Sequence, residues 1–167
     1  WRSVVYDHRG CGASAHGGTT IPLQVQVDDL LAVMDARGVT RSVLAAESAG
    51  AGVALEAALQ APERFEGLVL VGASWTRPAP GELDGFIAAL RADHAATLRG
   101  FVAACLPEPE TGDLRRWGLQ VLQRASLDDA IALLRAREGL RLEDRVAALR
   151  VPVLLVHGEA DAIVPVD

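Results

Sequence analysis

The 167 residues contain no lysine and no asparagine, and all sixteen basic positions are arginine. We read that bias as GC-rich codon usage, not as a binding signal. The formal charge of −6 argues against a nucleic-acid groove, which would need a basic stripe, so no nucleic-acid partner is expected. Two cysteines, Cys11 and Cys105, support neither a disulfide framework nor metal-ligand spacing, and no cofactor or metal is expected. No apolar run approaches the ~18–20 residues of a membrane-spanning helix. Only 4% of the residues are aromatic. A core must then come from Ala, Leu, Val and Gly, which suits helices packed on a parallel sheet. An initiator Met is missing too: Trp1 leads almost at once into a strand pattern, and the chain stops just after an acidic turn. The expectation is an internal piece of a longer protein. The lack of a leader peptide then says nothing about location, and a cytoplasmic one is taken by default.

Apolar strand patterns alternate with helical ones. Residues 3–6, SVVY, form a short strand that empties into the Gly-rich loop HRGCGASAHGG. Leu23, Val27, Leu30, Leu31 and Met34 fall at helical spacing, and Gly38 stops that helix. SVLAA at 42–46, GLVLVGAS at 67–74 and VPVLLVHG at 151–158 are the next strands, with Pro152 near the start of the last. A small-residue helix over 49–61 ends at Pro62. This pattern predicts an α/β fold with a mostly parallel sheet covered on both faces. Crossovers then gather the carboxyl ends of the strands on one rim, where such proteins place their sites. The division is 1–75 core, 76–150 helical lid insertion, and 151–167 core strand and acid loop. Within the insertion, helices are expected near 82–104, 113–124, 127–138 and 142–149.

The chemistry is concentrated at Ala46-Glu47-Ser48-Ala49-Gly50, between a strand and a helix. It is a variant of G-x-S-x-G with Ala at the first position. Small residues two before and two after the serine are a steric requirement, because the turn is so sharp that the chain nearly touches itself. Such a turn lifts the hydroxyl above the sheet and aims the first helical N–H groups at one point. The competing reading is that Ser48 only caps the helix, serine being a preferred cap.

In several places the chain resembles the α/β-hydrolase superfamily, in the branch of small-lid esterases, peroxidase-like hydrolases and carbon–carbon bond hydrolases. YDHRGCGAS is similar to the family's D-x-R-G-x-G-x-S loop, VDDLLAVMDARGV to the following helix, and AESAG to the nucleophile elbow. APERFEGLVLVGAS is similar to the next helix-to-strand run. VPVLLVHGEADAIVP is similar to the acid loop G-x-x-D-x-x-x-P, at Gly158, Asp161 and Pro165. The resemblance implies that Ser48 is the nucleophile, that Asp161 orients a histidine, and that Ala49 N–H holds an oxyanion. Asp7 and Arg9 match positions of structural use. Ala46 departs from the usual glycine. A serine at the elbow speaks against haloalkane dehalogenases and epoxide hydrolases, whose nucleophile is aspartate.

The family order is serine, acid, histidine, and no histidine follows Asp161 before residue 167. His157 reads as a packing residue at the exit of the last strand. His8 and His16 precede the serine, and His94 falls in the insertion. The resemblance implies three further strands before residue 1, with a His-Gly loop for the second oxyanion donor. The strands ending at Tyr6 and Ala46 should therefore be non-neighbours, each with an open edge. The chain alone is expected to be inactive, since losing the histidine of a serine triad costs on the order of 10⁶ in turnover.

The expected function is hydrolysis of an ester or similar acyl (or C–C) bond in a small molecule, through a Ser-Asp-His triad. Trp117, Phe86 and Phe101 suggest an apolar acyl or ring substrate, although packing of the insertion explains them as well. A second reading is a non-catalytic ligand-binding or signalling module on the same scaffold. A dinucleotide fingerprint at Gly10-x-Gly12-x-x-Ala15 fails, because Gly17, Gly18 and Pro22 follow it where a helix should open.

Overall fold

The computed structural model describes residues 2–14, 16, 20–74, 78, 82–138 and 141–166. The Gly17-Gly18 pair and the expected boundary at 75–76 lie outside them. By internal contacts the chain divides into two units, Trp1–Ile21 with Pro78–Ala136, and Pro22–Arg77 with Arg137–Asp167.

The second unit holds the sheet. Helix α1, Leu23–Ala36, buries Val27, Leu30 and Met34, the apolar stripe that the spacing requires. It ends where Gly38 takes φ +63°, with Gly38 N–H donating to Asp35 O and Val39 N–H to Met34 O. That pair of bonds is the left-handed glycine cap. Strands β1 (Ser42–Glu47), β2 (Phe65–Val71) and β3 (Val153–Val156) are parallel in the order β1-β2-β3. Between β1 and β2 runs helix α2, Gly50–Gln60, whose residues Ala51 to Ala58 are all buried. Its run of small side chains allows it to lie close to β1 and β2.

Two arginines fasten this unit. Arg64, just before β2, donates to the carbonyls of Thr40 and Val39 and pairs with Asp35 at 2.6 Å. Arg145 forks onto Glu56 of α2 through bonds of 2.6 and 3.1 Å, and Gln60 adds a third donor to the same carboxylate. Glu56 is 7% exposed, so these donors replace the water that its charge has lost.

In the first unit the Gly-rich loop closes on itself. Gly10 N–H donates to Ser14 O, Cys11 N–H to His8 O, and the Asp7 carboxylate accepts from Ala13 N–H at 2.8 Å. Gly10 and Gly12 both have positive φ, which glycine alone adopts without penalty. A side chain at Gly12 would run into the Asp7 carboxylate, and one at Gly10 would meet Ile21 Cδ1 at 2.8 Å. Helices α3 (Glu82–Ala92), α4 (His94–Cys105), α5 (Gly112–Leu122) and α6 (Leu127–Arg135) complete the unit. Asp93 and Ser126 cap α4 and α6 through their side chains. Phe86 and Phe101 pack on each other, ring centroids 5.8 Å apart. Burial and the Asp7 and Asp129 carboxylates push the Cys11 thiol pKa up. Among the described residues no helix is long and apolar enough to cross a membrane.

Several expectations need correction. Residues 3–6 do not form a strand; Val5 is 91% exposed and no ladder partner lies beside it among the described residues. A β-branched run needs a neighbour to become a strand, whatever its propensity. The second sheet strand covers 65–71 instead of 67–74, because Gly72 turns to φ +50°. The helix expected over 82–104 is two helices, broken at Asp93. That over 142–149 is a single 3-10 turn, Val146–Ala148. Nor are both sheet faces covered among the described residues: Val43, Val71 and all of β3 stay exposed.

Candidate active site at the carboxyl rim of the sheet

In register, Glu47 lies beside Val71 and Val71 beside Val156. The chain leaves all three strands at this level, and the ladder runs one step further. Ser48 N–H donates to Val71 O and Gly72 N–H to Val156 O, both at 2.9 Å. Residues 48, 72 and 157 thus stand side by side on one rim.

Ser48 has φ +50°, and no other non-glycine residue among those described has a positive φ. The left-handed conformation costs a residue with a Cβ roughly 1–2 kcal/mol. Compensating bonds hold the turn: Ser48 O accepts from Ala51 N–H at 3.1 Å and from Ser74 N–H at 3.1 Å. Glycine at position 50 has room, since a Cβ there would sit 3.7 Å from that of Ala46. Alanine in place of the family's glycine at position 46 is tolerated for that reason. The capping alternative for Ser48 does not hold. The N-cap of α2 is Ala49, and no side chain caps that helix. Ser48 Oγ makes no hydrogen bond to the described residues. Ala49 stands at the N-terminus of α2, the positive end of the helix dipole.

Asp161 follows β3 in a tight turn. Its Oδ1 accepts from the N–H groups of Ile163 and Val164, each at 2.9 Å. The bonds from Val164 and Ile163 hold the carboxyl pKa below its ordinary value, against an opposing effect of desolvation and with the smallest contribution from His157. With Oδ1 so anchored, Oδ2 is left to the rim. It lies 3.6 Å from where a Cβ on Gly72 would be and 3.8 Å from His157 Nε2. His157 Nε2 donates to Val164 O at 2.7 Å, which gives this histidine a place in the acid loop and not at the serine. The strands that carry Ser48 and Asp161 are separated by one strand, about 10 Å at the usual spacing.

The rim therefore brings Ser48, Ala49 and Asp161 together within one unit. His94 opens α4 in the other unit. Two residues of the rim were not foreseen. Ser74 Oγ accepts a 2.6 Å hydrogen bond from the Arg137 guanidinium, across 63 positions of sequence. No local pattern signals such a pair; only the return of the chain after the helical insertion creates it.

An open parallel sheet with a strained serine at a strand-to-helix turn defines the α/β-hydrolase class. A family profile described as "alpha/beta hydrolase fold" matches residues 1–167, and the chain belongs to that family. It is 30% identical, over 99% of its length and 65% of the relative's, to RutD of Klebsiella pneumoniae (strain 342), a protein provisionally named a carbamate hydrolase. Among solved structures, a hydrolase from Pseudomonas aeruginosa PA01 superposes with a TM-score of 0.86 at 27% identity, over 96% of this chain and 63% of that one. An esterase from Exiguobacterium antarcticum gives 0.89 at 24% identity, over 96% and 64%, which shows the fold alone. The chain thus spans just under two thirds of the length of these relatives.

Proposed function

We propose that the protein is a serine hydrolase cleaving an ester or similar acyl bond in a small molecule, with Ser48 as nucleophile and Asp161 as the acid of its triad. One observation carries the reading: among the described residues, the sole non-glycine residue with positive φ is the serine at the strand-to-helix junction. Strain of this kind collects at functional positions.

In the reaction, Ser48 Oγ bonds to the acyl carbon while its proton passes to an imidazole. That histidine comes from the part of the relatives' length that this chain does not span, in the family order. An imidazole hydrogen-bonded on both nitrogens suits the gap between Ser48 and Asp161. Asp161 Oδ2 accepts from it and stabilises the imidazolium. The tetrahedral oxyanion takes Ala49 N–H and the positive end of α2. Collapse expels the leaving group, which takes the proton from the imidazolium. Water then attacks the acyl-enzyme by the same route, releasing the acid and restoring Ser48. Residues 76–150 are assigned the role of a lid, supported by their position in sequence between β2 and β3.

A fluorophosphonate probe tests this in the full-length protein. Ser48 is expected to be labelled, and a Ser48→Ala variant is expected to be neither labelled nor active. Equal labelling of both proteins would refute the assignment.

A further inference from the structure

The rim carries a cation that the triad chemistry does not use. Arg137 donates to Ser74 Oγ at 2.6 Å, and Ser74 N–H in turn donates to the carbonyl of Ser48 at 3.1 Å. The guanidinium is therefore two hydrogen bonds from the nucleophile, at the exit of the central strand β2. Arg64, Arg116, Arg124, Arg135, Arg141 and Arg145 each pair with a carboxylate. Arg137, partly buried, pairs with none among the described residues and has a neutral hydroxyl as its partner. Arg115, also partly buried and without a carboxylate partner among the described residues, donates to two backbone carbonyls, those of Leu106 and Glu108. A partly desolvated guanidinium gains most from an anion, and its planar fork fits a carboxylate.

We propose that Arg137 is a specificity-determining residue that binds a carboxylate on the acyl side of the substrate. The preferred substrate class is then the monoester of a short dicarboxylic acid, apolar methylenes joining the scissile carbonyl to the anion. Ser74 holds the guanidinium at a fixed height above the sheet and leaves its remaining N–H groups to the ligand. The 3.1 Å bond from Ser74 N–H to Ser48 O and the 2.6 Å bond from Arg137 to Ser74 Oγ keep the cation near the elbow, which suits a linker of a few carbons. The proposal rests on the serine-hydrolase reading for the reaction, but not for the binding of the anion.

The test compares two substrates in the full-length protein: the mono-para-nitrophenyl ester of glutaric acid, and the same molecule with its free carboxyl capped as a methyl ester. They differ in one charge. The ratio of their kcat/KM values does not depend on the folded fraction of a variant, so partial misfolding cannot imitate the result. Arg137→Gln should lower the ratio (charged over capped) by roughly 10–100-fold, the factor for a hydrogen bond to a charged group. Arg137→Lys should keep part of it. A ratio unchanged in Arg137→Gln would overturn the proposal. Titration of Ser48→Ala with glutarate reads the anion site without turnover. There too Arg137→Gln should weaken binding at least tenfold, and equal binding would count against the site. Retained turnover of both esters by Ser48→Ala would instead refute the serine-hydrolase reading alone.

Discussion

Replacing Ser48 by glycine and by alanine separates the strain at the elbow from its chemistry. At φ +50°, a residue with a Cβ pays roughly 1–2 kcal/mol. Glycine does not, but it gives up roughly 0.4–1 kcal/mol in chain entropy. The difference leaves Ser48→Gly about 0.5–1 kcal/mol more stable than Ser48→Ala. For a protein of ordinary domain size that is a gap of roughly 1–4 °C in Tm. Ser48→Ala itself should lie close to wild type, because Ser48 Oγ gives up no hydrogen bond to the described residues. Urea unfolding of the three full-length proteins, with turnover measured in parallel, checks the order. Both variants lose activity; only the glycine variant gains stability. Alanine as stable as glycine would mean that position 48 has ordinary right-handed backbone, and the elbow would be lost with it.

Three further outcomes follow from the packing. Arg145→Ala leaves the buried Glu56 carboxylate with Gln60 as its remaining donor. Breaking a buried pair costs ~3–5 kcal/mol, but Arg145 is half exposed, so about 2 kcal/mol is expected by urea titration. A loss under about 0.5 kcal/mol would contradict the pair's role. Gly12→Ala combines φ +52° with a collision against the Asp7 carboxylate, and should cost about 2 kcal/mol or more. Adding Asp7→Ala should recover part of that loss, and strict additivity would place the two residues apart. Asp161 has a depressed folded-state pKa, so its contribution to stability is present above the unfolded value of about 3.9 and is lost as pH falls through the folded value. The stability gap between wild type and Asp161→Asn should accordingly be widest above about pH 5 and close toward pH 2. A constant gap over that range would refute the anchoring of Oδ1.

Much of the sheet and its rim was legible beforehand because the signals are local. Gly38 ends α1 since glycine alone sits easily at a left-handed cap, and Pro62 ends α2 since proline cannot continue it. The turn at Ser48 was legible because a run of small residues separates a strand pattern from a helical one. The strand expected at 3–6 failed for the opposite reason, its ladder depending on a neighbour that the local sequence does not name. The helix over 82–104 was divided at Asp93, whose capping bond to Ala96 N–H outweighed the apolar spacing running through it.

What the sequence by itself determined is the order of elements and the identity of the chemical groups, since both follow from spacing and turn chemistry within a few residues. Tertiary structure alone decided which of those groups meet. Parallel pairing of β1, β2 and β3 sets residues 48, 72 and 157 on one line, and the turn after β3 aims Asp161 Oδ2 back toward it. Arg137 reaches Ser74 only because the chain comes back to the same rim after the insertion. Contacts between distant segments depend on how strands pair and helices pack, and no local run of residues encodes that.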